Sequence, residues 1–196
     1  MNERLEKQLR FALEADKEKN IVRRTLVSDG SRCENDAEHA WHAALMAILL
    51  REHSNEAIDL LRTVTMLLIH DIVEIDAGDT YAYDEQAKCS QRDRETQAAD
   101  RLFGMLPDDQ RDSLRALWEE FEAGSTPEAK FARTMDNLQP MMLNNATGGR
   151  VWKERGVALH QILKRNEITR EGSAALWEYA EGEIIKPHRE RGNITG

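Results

Sequence analysis

The chain is poor in the features that mark several protein classes. Two of its 196 residues are cysteine, Cys33 and Cys89, and they form no paired-thiol motif. That usage excludes a disulfide-stapled fold and a thiolate metal site, and it fits a reducing cytoplasm. No apolar run approaches the ~20 residues that span a bilayer. The first twenty residues, MNERLEKQLRFALEADKEKN, lack the apolar segment of a secretory signal. The expectation is a cytoplasmic protein with no membrane partner. A basic excess is missing too: 27 Lys and Arg stand against 36 Asp and Glu, a formal charge of −9 with a pI of about 5.2. A nucleic-acid polymer is bound through a Lys/Arg stripe that replaces its counterions, and none is present. Repeats, low-complexity tracts and linkers are also absent, and only four prolines punctuate the chain. At this length, 40% hydrophobic residues suffice for one core, so residues 1–196 read as a single domain burying roughly 70% of its unfolded surface.

Helical periodicity is what the chain has in abundance. Leu5, Leu9 and Ala12, with Phe11 beside them, form a stripe on a first helix at about 3 to 17, which is expected to cap the core by that face. Asn35 and Asp36 are N-cap candidates for a second helix through AEHAWHAALMAILLREHS. Its stretch 43–50 is apolar on every face, the pattern of a helix buried at the centre of a domain. A third, equally apolar, runs from about 56 to 74. Gly78 ends it, and the segment to about residue 90 reads as a loop. Amphipathic helices follow at about 91–105 and 108–122. Thr126 then caps a helix with Pro127 at its first position, running to about residue 144 with a kink at Pro140. Helices at about 151–165 and 171–186 complete the chain. No alternating strand pattern with a hairpin turn is evident. The fold class is all-α.

Ionisable residues on the apolar faces are the informative anomaly, because an unpaired buried charge costs several kcal/mol or more. His39 shares its face with Ala43, Met46 and Leu50; His42 is a rival on the neighbouring face. His70 and Asp71 end the apolar run MLLIHD, where both can reach an ion beside the helix end. Asp136 lies on a face with Ala132, Pro140 and Leu143. Singly, each has an ordinary alternative: a satisfied core histidine, a polar helix end, an Asp paired with Arg133. Together, two imidazoles and two carboxylates from three buried helices make a shell for one borderline divalent cation, with Mn, Co, Fe, Ni and Zn all admissible. Magnesium, which favours all-oxygen shells, is less suited.

The order His39, His70-Asp71, Asp136 is the H…HD…D pattern of the HD-domain phosphohydrolase superfamily. The segments RCENDAEHAW (32–41), HDIVEIDAGD (70–79) and KFARTMDNLQPMMLNN (130–145) further resemble its 5'-deoxynucleotidase branch, as do the Trp-containing C-terminal helices. The resemblance covers nearly the whole chain. It implies an all-helical HD domain, with a metal-binding core at about 20–146 and C-terminal helices 151–186 packed on it. It implies one divalent metal held by His39, His70, Asp71 and Asp136, a homodimer, and removal of phosphate from nucleoside 5'-monophosphates.

Glu74 lies three residues after Asp71 and four after His70, adjacent to both on a helix surface, and Asp79 follows the Gly78 turn. The resemblance gives this pair the acid/base work: Glu74 orients or deprotonates water, and Asp79 assists the leaving group. Solvated helix ends and turn chemistry are their ordinary roles. Arg23, Arg24 and Arg32 precede the first motif, and guanidinium forks match phosphate geometry. The resemblance places an arginine upstream of that motif near the phosphate, with Arg24 the preferred match and Arg32 also a candidate. Glu34 and Glu38 can pair with those arginines or support His39. Trp41 is assigned to core packing, and Tyr81 and Tyr83 to base stacking or loop closure. Within the superfamily, pyrophosphohydrolases resemble H-D-x-x-E-D, whereas Ile75 follows Glu74 here, and cyclic-dinucleotide phosphodiesterases favour H-D-I-G-K. A non-catalytic nucleotide-binding module would leave Asp71 and Asp136 as unneeded buried charges.

Overall fold

The computed structural model describes residues 2–80, 82–83 and 91–196. Helix α1 (Glu3–Ala15) runs into a 3-10 turn (Asp16–Asn20), followed by strands β1 (Val22–Leu26) and β2 (Cys33–Asn35). Then come α2 (Asp36–Leu50), α3 (Leu60–Ile69), the single-turn α4 (Glu74–Ala77), α5 (Gln91–Phe103), α6 (Asp108–Ala123) and α7 (Pro127–Ala146). The C-terminal part comprises α8 (Arg150–Glu154), α9 (Leu159–Arg165), α10 (Thr169–Gly172) and α11 (Ala174–Tyr179), then a π-helical segment (Ala180–Ile185) and α12 (Lys186–Glu190). The fold is helical, as expected.

Local chemistry sets the helix starts. Asn35 accepts a hydrogen bond from the Glu38 amide at 3.0 Å while the Glu38 carboxylate accepts one from the Asn35 amide at 3.1 Å, a capping box that fixes where α2 begins. Thr126 accepts from the Ala129 amide at 3.2 Å, with Pro127 at the first helical position of α7. Helix α7 passes Pro140 and continues to Ala146; because proline has no N–H, the Asp136 carbonyl loses its intrahelical partner there. Around α7 pack α2, α3, α6 and α10. Trp177, Ile184 and Ile185 of the C-terminal part join Ala43, Met66 and Met135 in one buried cluster.

Five expectations need correction. The hairpin was not anticipated: β1 and β2 pair antiparallel, Val22 with Asn35 and Leu26 with Cys33. Two successive arginines in β1 mask its alternation, and three residues in β2 are too few to show any. The Leu5/Leu9/Ala12 stripe of α1 faces outward, with Leu9 61% exposed; Phe11 meets Phe103 instead, at 6.4 Å between ring centroids. Apolar though it is all round, α2 buries one face only, leaving Trp41 63% and Leu49 65% exposed, so Trp41 is not core. The third helix is shorter than its apolar run. Asp59 caps it, and after Ile69 the chain tightens into i→i+3 turns, including Glu74 N–H to the Asp71 carbonyl at 2.8 Å. The last two helices are likewise divided into shorter pieces.

One close approach ties the C-terminal helices to the core. A Cβ on Gly172 of α10 would stand against the Thr134 hydroxyl and the Lys130 carbonyl of α7. Gly172→Ala is expected to lower unfolding free energy by about 1–3 kcal/mol through overpacking, read from the midpoint of urea denaturation; an unchanged midpoint would show that the two helices can separate without cost.

Candidate metal centre and active site

Three elements bring the singled-out polar residues to one point. The capping box starts α2 so that His39 falls one turn in, fully buried. The tight turn after α3 carries His70 and Asp71, and α7 supplies Asp136. His39 Nε2 lies 3.1 Å from Asp136 Oδ1 and 3.9 Å from Asp71 Oδ2. His70 Nε2 lies 3.2 Å from Asp71 Oδ2 and 3.7 Å from Asp136 Oδ1. Donor atoms of His39, His70 and Asp136 all fall within 4.8 Å of one another.

The imidazoles are oriented from behind. His70 Nδ1 donates to the Leu67 carbonyl at 2.8 Å, which takes up a carbonyl that a continuing α3 would have used. His39 Nδ1 donates to Gln139 Oε1 at 3.0 Å, and Gln139 Nε2 donates to Glu34 Oε2 at 2.8 Å. Glu34 and Gln139 therefore fix His39 from behind. With both Nδ1–H groups committed, each Nε2 presents a lone pair toward the two carboxylates. His70 Nε2 is buried and has no hydrogen-bond partner among the described residues. Four lone-pair atoms facing one another repel unless a cation or proton sits among them. Two imidazole nitrogens and two carboxylate oxygens fit a borderline divalent ion.

Charge inside the protein answers to the same arrangement. Burial works to lower the His70 imidazole, but Asp71 and Asp136 outweigh it and hold it well above its ordinary value. Burial and the Arg23 guanidinium push His39 down. Burial opposes ionisation of both aspartates, yet His70 and Arg23 bring Asp71 below the usual range, and Arg165 with the two imidazoles does the same for Asp136. Arg23 of β1 bonds Asp71 Oδ2 at 2.6 Å and Asp36 Oδ1 at 3.1 Å. Arg165 of α9 bonds Asp136 Oδ2 at 3.1 Å, leaving Oδ1 to face the imidazoles.

The carboxylates around Arg23 are pushed upward instead. Glu74, 8% exposed, is raised far above its ordinary value by burial and by Asp71 and Asp36. Asp36, hydrogen-bonded to Glu74, is pushed up to about 7 by burial and Asp71. Burial also raises Glu18 of the 3-10 turn, to about 8, assisted by Asp71. Asp79 is half-buried beyond Gly78, whose φ of +76° favours glycine; it is raised by burial, with Arg23 and Arg24 pulling the other way.

Beside them lies a cavity of about 380 Å³, lined by Arg23, His70, Asp71, Glu74, Asp79 and Asp136 among others. Arg24 lies on its rim, exposed and with no acidic partner among the described residues. Arg32 does not line it: both its terminal nitrogens bond Glu38, at 2.8 and 2.7 Å, on the surface. His42 stands behind Gln139, its Nδ1 3.2 Å from Gln139 Nε2, rather than among the clustered donors. Tyr83 lines the cavity, whereas Tyr81 and Cys89 fall outside the described residues. Sequence reasoning missed Gln139, Arg165, Asp36 and Glu18 as parts of this site, and took Arg23 only as one of a phosphate-binding cluster. Gln139 was within reach, being three residues after Asp136 on the same helical face; Arg165 gave no local signal.

A family model described as an HD domain matches residues 15–177. The chain belongs to the HD domain family. Among curated relatives, the 5'-deoxynucleotidase of Danio rerio is 32% identical over 106 residues, 54% of this chain and 52% of the relative. That of Homo sapiens is 32% identical over 111 residues, 57% and 53%. This HD domain chain thus spans about half the length of the curated relatives it matches. Among solved structures, a predicted metal-dependent phosphohydrolase from Magnetospirillum magnetotacticum MS-1 is 47% identical, with a TM-score of 0.93 over 98% of this chain and 96% of that one. A conserved hypothetical protein from Pyrococcus furiosus shares the fold at 20% identity and a TM-score of 0.57, over 88% of this chain and 99% of that one.

In this HD domain, Gln139→Leu removes the acceptor that fixes the His39 tautomer. Affinity for Mn or Co is expected to fall about 10–100-fold, measured by isothermal titration of the metal-free protein. A change under about threefold would show that other contacts orient His39.

Proposed function

We propose that this HD domain protein is a metal-dependent phosphomonoesterase that removes the 5'-phosphate from deoxynucleoside or nucleoside monophosphates, with residues 1–196 acting as one domain. The observation that carries the reading is the set of lone-pair donors from His39, His70, Asp71 and Asp136, converging beside a cavity that is also lined by Arg24, Glu74 and Asp79. The names of the relatives support it: 5'-deoxynucleotidase for the curated ones and predicted metal-dependent phosphohydrolase for the solved structure.

His39, His70, Asp71 and Asp136 would hold the divalent ion, whose chemistry when bound is to polarise a phosphoryl oxygen and neutralise the two aspartates. Arg24 receives the substrate phosphate by its guanidinium fork. Glu74 orients the attacking water. Its carboxylate takes the water proton as oxygen bonds to phosphorus. Asp79, raised by burial, donates its proton to the ribose oxygen as the phosphorus–oxygen bond breaks. Asp36 and Arg23 hold Glu74 in place. Cytoplasmic location suits this substrate class, and no helix among the described residues is long and apolar enough to cross a membrane.

A homodimer is part of this proposal. The exposed face of α2 carries Trp41, Leu45, Ile48 and Leu49, with Leu68 exposed on the adjoining α3. A row of this kind is the type of surface that a second copy covers.

Phosphate release from a panel of nucleoside 5'-monophosphates, crossed with Mn, Co, Fe, Ni and Zn, tests the activity. Glu74→Gln is expected to retain metal and lose about 10²–10⁴-fold in kcat; unaltered turnover would remove Glu74 from the mechanism. Trp41→Glu is expected to give a monomer in sedimentation velocity where the parent is a dimer, and an unchanged species would place the interface elsewhere.

A further inference from the structure

Five arginines are among the described residues that line the cavity, and they differ in how much of each guanidinium is already committed. Arg23 is largely buried and bonds both Asp71 and Asp36. Arg92 leans on Glu122 and on the Trp118 ring, and Arg133 donates to the Glu122 carbonyl at 2.7 Å. Arg24 already has the phosphate contact given to it above. Arg165, the last residue of α9, is the remaining one. Its side chain is 32% exposed, and among the described residues its guanidinium makes one hydrogen bond, from Nη2 to Asp136 Oδ2 at 3.1 Å. A guanidinium carries five N–H donors in a planar fork. Most of this fork is therefore uncommitted, on a side chain that lines the cavity and is open to solvent.

Consecutive residues of α7 hold Arg165 at both ends. Asp136 takes the guanidinium, and Asn137 Nδ2 donates to the Arg165 carbonyl at 3.4 Å. The other oxygen of the same carboxylate, Asp136 Oδ1, faces His39 and His70 at 3.1 and 3.7 Å. One carboxylate is thus all that separates the guanidinium from the converging donors. Its charge also reaches Asp79 and Tyr83 on the same cavity: burial raises both, and Arg165 pulls them down. An anion drawn to the cluster meets N–H groups that are already fixed in place, and such donors need no reorganisation when charge develops.

We propose that Arg165 is a catalytic residue: its uncommitted N–H groups donate to a non-bridging oxygen of the substrate phosphate and stabilise the negative charge on the phosphoryl group as the bond to the ribose oxygen breaks. This rests on the phosphomonoesterase reading above. One side of the fork is anchored on Asp136 and the rest is left for phosphate, a division that the single ammonium of lysine does not reproduce. Arg24, from the hairpin, and Arg165, from the C-terminal helices, then hold the same phosphate from two separate segments of the chain.

The test compares the parent with Arg165→Lys, which keeps a cation beside Asp136 and removes the fork. Mn is titrated calorimetrically into each metal-free protein, and inorganic phosphate is then titrated at saturating Mn. Phosphate has neither sugar nor base, so its binding reports on phosphate contacts alone. In Arg165→Lys, phosphate affinity is expected to fall about tenfold or more and kcat for deoxynucleoside 5'-monophosphates about 10²-fold or more. In Arg165→Ala, added guanidinium ion is expected to restore part of the lost turnover. A merely structural role, holding Asp136, would weaken Mn binding and leave phosphate affinity and kcat at parent values once Mn is saturating. Either value unchanged at saturating Mn overturns the inference and leaves the phosphomonoesterase reading standing. Phosphate binding weakened as expected, with no nucleoside 5'-monophosphate hydrolysed by the parent, overturns the nucleotidase reading instead.

Discussion

Everything in this molecule answers to one electrostatic constraint, the burial of two carboxylates and two imidazoles at a single point. Each charge withdrawn from water carries a large desolvation cost, recovered only where opposite charge and hydrogen bonds are supplied at close range. Arg23 supplies it to Asp71 from the N-terminal hairpin, and Arg165 supplies it to Asp136 from the C-terminal helices. Both elements, peripheral by sequence position, are therefore parts of the site. Asp136 divides its two oxygens between these duties, one for Arg165 and one for the imidazoles.

Rigid backbone keeps the arrangement tight. Helix α7 carries Asp136, Gln139 and Asn144, so the ion site, the support behind His39 and the far wall of the cavity share one scaffold. Gly172 lets the C-terminal helices close against that scaffold and hold Arg165 in reach. On the other side, the break after α3 swaps helical hydrogen bonds for tighter turns. It lets the Leu67 carbonyl orient His70 and sets Glu74 at the head of its own short helix. Glu74 and Asp36 gather round Arg23, where burial and mutual repulsion raise their pKa values.

Much of this was readable from residue order, and the failures have physical causes. Helix starts were legible at Asn35 and Thr126 because capping is a local interaction between residues three apart. The four converging side chains were legible because an ionisable residue on an apolar helical face is anomalous in itself. The direction of α1 was misread: its stripe is real, but Phe11 and the ion pairs of Arg4 and Glu14 with the neighbouring helices hold the opposite face inward. In α2, apolar composition all round did not distinguish a central helix from one with an exposed apolar face. The hairpin escaped because its inward residue is an arginine, polar by composition and buried only through its partners.

Residue order by itself determined the helical character of the chain, the caps at Asn35 and Thr126 and the identity of the clustered donors, since each depends on contacts within about one helical turn. Tertiary structure alone decided which apolar faces are covered and which arginine does what. Arg23 turns inward to the aspartates, Arg24 lines the cavity with no acidic partner among the described residues, and Arg32 is spent on Glu38. These three lie within ten residues of one another and are chemically alike; only the position of acidic partners on other segments separates them. That information resides in distances across the fold, and no local pattern carries it.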